Sequence, residues 1–272
     1  MSRPLALGGA GLHSVGAMTE SAGPEVRIVA DASSAVPVLL DEIRRAIARA
    51  RRPLIGFATG GTYTAMLQAL AVELQAARIR SADFTATHLD EYLAFGPERR
   101  GGMVHELGTL CPPLLAMLRV GTFLAVPHDG DLAGMRAHEQ RLQRAGGVRL
   151  QFLGIGRNGH VAFNEPGTPF ELDFHLTTLA ATTRDDARAR FAPDEPPRQA
   201  VTSGLATIAA SQRLVLCAFG KAKADAVRAM LKGEVCPACP ATALRAHRNL
   251  LVLLDREAAG GLGTGHPVVS GA

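Results

Sequence analysis

Four short segments of the chain bring together residue types that can bind an anion or move a proton. The first is Thr59-Gly60-Gly61-Thr62, directly after the apolar run Leu54–Ala58 and at the head of a helical stretch. Paired glycines let a backbone bend close to an anion, and the first turn of a helix offers free N–H groups and a favourable dipole. The threonine hydroxyls add donors. The loop lacks the spaced glycine and the Gly-Lys-Ser/Thr ending of a nucleotide P-loop. Its plain alternative is a strand–helix turn capped by threonine.

The second segment is His88-Leu89-Asp90-Glu91-Tyr92. Adjacent carboxylates point in different directions, so they do not form one paired acid/base unit. One of them at a strand end can act as a base toward a ligand in a cleft; the alternative is a helix-capping acid with a solvated neighbour. The third runs Gly154-Ile155-Gly156-Arg157-Asn158-Gly159-His160 and continues to Phe163-Asn164-Glu165-Pro166. A histidine held beside a carboxylate can move protons near neutral pH, with the carboxylate fixing the ring. Gly154 and Gly156 make a weak dinucleotide signal, because the third glycine is misplaced. The fourth, Gly220-Lys221-Ala222-Lys223, sets lysines at a strand end, where one can meet a phosphate or simply face solvent.

Each segment follows a short β-rich run. Strands are expected at Val26–Ala30, Leu54–Ala58, Phe84–Leu89, Leu150–Gly156, Leu214–Phe219 and Leu250–Asp255. Helical spacing of apolar residues predicts helices over Ser34–Arg52, with Pro37 in the first turn, and over Tyr63–Arg78, Leu132–Ala145 and Lys221–Leu231. Strands apolar on both faces that alternate with helices predict a three-layer α/β/α Rossmann-like sandwich with a mostly parallel central sheet. In such sheets ligands lie beyond the carboxyl ends of the strands. No repeat or linker divides the chain, so residues 26–259 are read as one domain, between a flexible leader (1–25) and a flexible tail (260–272).

Composition excludes several classes. The 272 residues are 47% hydrophobic, which permits a sizeable core and excludes general disorder. A formal net charge of +4 without a basic tract interleaved with aromatics argues against a nucleic-acid partner. No apolar run approaches the ~20 residues that span a bilayer, and the N-terminus makes a poor signal peptide, so a cytoplasmic protein is expected. Cys111, Cys217, Cys236 and Cys239 do not form a disulfide framework, and the lone Cys236-x-x-Cys239 lacks a second ligand pair, so no metal is assigned.

In this order the segments resemble the glucosamine-6-phosphate deaminase family, related to the 6-phosphogluconolactonases. The resemblance runs from about Val26 to Ala259. It rests on Leu89-Asp90-Glu91-Tyr92 and on the stretch from Gly154 to Phe170, supported by the Thr59–Thr62 loop, the Thr183-Arg184…Arg190-Phe191 segment and Gly220–Ala224. The lactonase branch typically has Arg where this chain has Tyr92, and lacks the Phe163–Pro166 continuation.

The resemblance implies hydrolytic deamination and isomerisation of an amino-sugar phosphate to a ketose phosphate and ammonium, with no metal or organic cofactor. His160 would assist opening of the sugar ring, tuned and oriented by Glu165, with Asn158 in the same catalytic set though its amide cannot relay a charge. Asp90 would take the C2 proton and return it to C1, and water would hydrolyse the resulting imine. Thr59, Gly60, Gly61, Thr62 and Lys223 would hold the phosphate, and Arg190 would meet the substrate, with Arg188 as its alternative. The partner is a small sugar phosphate, and a homo-oligomer is compatible with the family.

The chain also departs from the family pattern. Asn158 stands where some members have Asp, Tyr63 stands where Pro is usual, and Phe95–Leu110 matches weakly. No basic cluster surrounds Phe174–Thr178, so activation by N-acetylglucosamine 6-phosphate is not expected. Galactosamine 6-phosphate as substrate, a lactonase, and a non-catalytic sugar-phosphate sensor are the other readings.

Overall fold

The computed structural model describes residues 23–263. In chain order the strands are β1 (Glu25–Ile28), β2 (Leu54–Phe57), β3 (Thr85–His88), β4 (Asp90–Tyr92), β5 (Phe123–Leu124), β6 (Val148–Gly154), β7 (His175–Thr178), β8 (Gln199–Thr202), β9 (Leu214–Ala218) and β10 (Leu250–Leu254). The α-helices are α1 (Ala32–Arg49), α2 (Thr64–Gln75), α3 (Met103–Leu110), α4 (Pro112–Arg119), α5 (Leu132–Arg144), α6 (Ala181–Phe191), α7 (Leu205–Ala209) and α8 (Ala224–Lys232).

Seven strands form one parallel sheet in the order β1-β10-β9-β6-β2-β3-β5. Every residue of β2, β9 and β10 is buried. Strands this apolar on both faces need a covering layer on each side, and the amphipathic helices supply it. In α1, for example, Leu39, Ile43 and Ala46 face the core. From β2 the chain steps outward through β3 to β5, while from β6 it steps the other way through β9 to β10. The strand order therefore reverses between β2 and β6, where a crevice opens beyond the strand ends.

A second sheet, β4-β8-β7, is antiparallel and was not expected from the sequence. Its strands have three or four residues, and β7 (HLTT) alternates half-buried with exposed positions, so it carries no apolar run. This sheet takes up Asp90-Glu91-Tyr92, expected just past a strand end, and fixes it as a strand of its own. Asp90 lies opposite Thr202.

Several boundaries differ. Helix α1 starts at Ala32, because Asp31 caps it by accepting the Ser34 N–H at 2.8 Å. Pro37 thus lies in the second turn rather than the first; both Pro37 and the Ser33 carbonyl it leaves unpaired are at an exposed face, where water can serve the carbonyl. Strand β6 is shifted two residues toward the N-terminus, so Gly156 belongs to the bend after it. The expected helix over Tyr63–Arg78 is a 3-10 turn (Gly61–Tyr63) followed by α2, and that over Lys221–Leu231 is a 3-10 turn (Lys221–Lys223) followed by α8.

The expected leader lies outside the described residues up to position 22, and Glu25 already begins β1. The expected tail lies outside them from position 264. Leu262, within it, packs into the main core, so the chain stays anchored at least that far.

Candidate active site

Two loops of the same shape face the crevice. After β2 the chain passes through Gly60, whose φ of 89° suits only glycine without strain, then through the 3-10 turn into α2. After β9 it passes through Gly220 at φ 86°, then through Lys221–Lys223 into α8. Tyr63 anchors the first loop from beneath. Its hydroxyl donates to the Leu153 carbonyl at 2.8 Å and accepts from the Leu153 N–H at 3.1 Å, tying the head of α2 to β6. The residue that replaces the family's usual proline is thus buried and leaves the threonines and glycines facing the cavity.

Thr59, Gly60, Gly61, Thr62 and Lys223 line one cavity of about 270 Å³, together with Asp90, His160 and Arg190. That is close to the lower end of the ~300–1,000 Å³ typical of small-molecule sites. Asn158 and Glu165 stand behind His160 rather than on the cavity wall. Arg188 is not part of it: its exposed guanidinium pairs with Asp185 and Glu195. Arg190 reaches the cavity because Phe191, next in sequence, is locked edge-on against Tyr92 and Phe95. Cys236 and Cys239 carry free thiols, and among the described residues no group of three or more His, Cys, Asp or Glu side chains is arranged to hold a metal ion.

Asp90 is 8% exposed. Burial, with Glu91 adjacent, pushes its carboxyl up to about 8 against the pull of Arg190. Glu91 turns the other way and caps α3, its oxygens accepting the N–H groups of Met103 at 2.9 Å and Val104 at 3.0 Å. The pair therefore divides into one acid facing the cavity and one capping acid, and both are buried.

His160 lies over Gly156 so closely that any Cβ there would collide with the imidazole. Its Nδ1 is 3.7 Å from Glu165 Oε2 and 3.2 Å from Thr183 Oγ1. Glu165 is held in turn by the Ala180 N–H at 3.1 Å and by Asn158 Nδ2 at 2.9 Å. An acceptor carboxylate on the Nδ1 side favours the tautomer protonated there, which leaves Nε2 as a base. Burial lowers the His160 pKa, Glu165 opposing, so the ring is neutral at neutral pH. Burial likewise lowers the Lys223 pKa, and an anion in the cavity would reverse that penalty.

Sequence reasoning missed three contributors. Thr183, whose position in the sequence signals no role, meets His160 Nδ1 through its hydroxyl. His88 lines the cavity as a buried, neutral ring, its Nε2 accepting the Val126 N–H at 2.9 Å and burial lowering its pKa to about 3. Glu106 pairs with Arg190 at 2.7 Å and lies in the stretch that matched the family weakly, where no motif signals it.

A family model described as glucosamine-6-phosphate isomerases/6-phosphogluconolactonase matches residues 29–253. The chain belongs to this family. Among family members of known name, the glucosamine-6-phosphate deaminase of Bacillus velezensis is 37% identical over 211 residues, 76% of this chain and 87% of that protein. The deaminase of Hahella chejuensis is 33% identical over 234 residues, 85% of this chain and 90% of that protein. A solved monomeric glucosamine-6-phosphate deaminase superposes with a TM-score of 0.79 at 31% identity, covering 87% of this chain and 99% of its own. The 6-phosphogluconolactonase of Leishmania guyanensis shares the fold, with a TM-score of 0.70 at 20% identity over 89% of this chain and 99% of its own. Among the described residues no helix is long and apolar enough to cross a membrane.

Proposed function

We propose that the protein is a glucosamine-6-phosphate deaminase, converting glucosamine 6-phosphate and water to fructose 6-phosphate and ammonium within a single unit spanning residues 26–259. One observation carries the reading: a buried carboxylate (Asp90) and a carboxylate-backed histidine (His160 with Glu165) share a cavity with a glycine loop and two cations, Lys223 and Arg190. A relative 37% identical bears that name. A sensor needs the cations and the loop but neither proton-transfer group.

The sugar phosphate seats its phosphate among the Thr59–Thr62 loop, Lys223 and Arg190. That binding, remote from the reacting carbons, is available to orient them. His160 Nε2 carries the proton between the anomeric hydroxyl and the ring oxygen, opening the pyranose to the aldehyde. Glu165 stabilises the imidazolium formed on the way. Asp90 removes the C2 proton, made acidic by the C1 aldehyde and the ammonium group, and gives an enolamine. Protonation at C1 turns this into an iminium at C2. Water adds there, and ammonia leaves to give the ketose. Positioned acid–base groups of this kind typically contribute ~10²–10⁴-fold each.

A substrate carrying a phosphate dianion and an ammonium group does not cross membranes, which fits a cytoplasmic site of action. Parallel assays on glucosamine and galactosamine 6-phosphates, which differ at the C4 hydroxyl, test the assignment. Faster ammonium release from the glucosamine compound supports it. Preference for the galactosamine compound would reassign the substrate, because one hydroxyl contact can set specificity. Tight binding without turnover of either would indicate a sensor.

A further inference from the structure

Helix α3 brings a carboxylate against two residues that line the cavity, Gly60 and Arg190. Glu106, in its first turn, accepts the Gly60 N–H on Oε1 at 3.0 Å and sets Oε2 2.7 Å from Nη2 of Arg190. The second contact is an ion pair without an aligned hydrogen bond, since no N–H of Arg190 points along it. Arg190 instead directs Nη1 toward the Met103 sulfur at 3.3 Å. The sister loop provides a contrast. There Gly220 N–H is accepted by Asp255 at 2.8 Å, an acid of the adjoining strand end that also accepts the Ala258 N–H and closes its own turn. Glu106 comes from a separate element and shares its charge with a cavity cation.

We infer that Glu106 is an internal competitor for the phosphate seat, its carboxylate holding the loop N–H and the arginine that a ligand's phosphate takes, so that phosphate enters by displacing it. This rests on the reading above that Gly60 and Arg190 hold the phosphate. Two effects act in the same direction. The Gly60 N–H and the charge of Arg190 are already engaged, and a fixed carboxylate repels an incoming dianion. A ligand that offers phosphate alone must overcome both with few contacts, whereas a sugar phosphate adds contacts to Asp90 and His160. Glu106 thereby weakens every phosphate ligand alike, so that phosphate alone binds poorly and only a ligand with further contacts fills the site.

The test is calorimetric titration of inorganic phosphate into the wild-type protein, Glu106→Gln and Glu106→Ala. Gln keeps the size and an acceptor for Gly60 N–H but removes the charge; Ala removes both. Thermal melts of all three establish folding. The expected result is phosphate binding about tenfold tighter in Glu106→Gln and at least as tight in Glu106→Ala, with a similar gain for glucosamine 6-phosphate. Unchanged or weaker phosphate binding in the folded Gln variant would overturn the inference and make Glu106 a support for Arg190. Tighter phosphate binding with no deamination of any hexosamine phosphate by the wild-type protein would leave the inference standing and remove the deaminase reading. Failure of all three proteins to bind phosphate would overturn the phosphate seat and the inference with it.

Discussion

Asn158 gives its side-chain amide to Glu165 at 2.9 Å, on the same Oε2 that faces His160, while its own Oδ1 accepts the His160 backbone N–H at 3.2 Å. The amide therefore braces the acid and the histidine without adding charge. Glu165 is the carboxylate that orients the ring in this chain, and Asn158 restrains both from behind.

Replacing Asn158 with Asp tests that arrangement. A second negative charge beside Glu165 favours the imidazolium, so the His160 pKa should rise in Asn158→Asp relative to the wild type. NMR titration of the His160 ring reads this directly. An unchanged or lower value would mean that the residue at 158 does not act on the ring.

The elevated Asp90 pKa predicts a pH profile. A base works only when ionised, so kcat/KM should rise with pH and level off above about 8, the free-enzyme value. The acid limb of kcat should lie lower, because the bound ammonium group favours the carboxylate. Coincident limbs near pH 4 for both parameters would contradict a buried Asp90 base.

The same shift has a consequence for stability. The folded-state pKa of Asp90 lies above its unfolded value, so its contribution is fully present at low pH and is lost as pH rises through about 8. Asp90→Asn cannot ionise and escapes that loss. Its Tm should gain on the wild type between pH 5 and pH 9, as read by melts across that range; a gap that narrows with rising pH would contradict the burial argument.

Arg190 and Arg188 are two residues apart on α6 and should behave differently. Arg190→Ala should raise KM for the sugar phosphate by roughly 10–100-fold, the scale of losing a half-buried charge contact. Arg188→Ala removes only exposed pairs and should leave KM within about twofold. Steady-state kinetics on both variants decide it, and the reverse order would restore Arg188 as the substrate arginine.

Tyr63→Phe isolates the anchor under the glycine loop. It leaves the Leu153 N–H and carbonyl without the hydroxyl that serves them at 3.1 and 2.8 Å in a buried site. The loss should be about 1–3 kcal/mol of unfolding free energy by urea denaturation. A change below ~0.5 kcal/mol would mean that the hydroxyl is replaceable.

The parallel sheet was legible in the sequence because Leu54–Phe57, Leu214–Ala218 and Leu250–Leu254 are apolar at almost every position, and burial on both faces writes that signal into composition. The loops at strand ends were legible because Gly60, Gly156 and Gly220 meet backbone or contact requirements that other residues satisfy poorly. The small sheet was not, since Asp90-Glu91-Tyr92 and His175–Thr178 owe their pairing to partners more than twenty residues away rather than to any local pattern. Glu106 was invisible for a related reason. A helical glutamate is an ordinary surface residue until folding sets Gly60 and Arg190 beside it.

Asp90 is the proposed base that removes the C2 proton of glucosamine 6-phosphate. NMR observation of that substrate with wild-type protein and with Asp90→Asn tests it most directly. The wild type should lose the C2–H signal as fructose 6-phosphate and ammonium accumulate, and the folded variant should do neither at a measurable rate. Loss of the C2–H signal at wild-type rate in Asp90→Asn, or no turnover by the folded wild-type protein, would contradict the account.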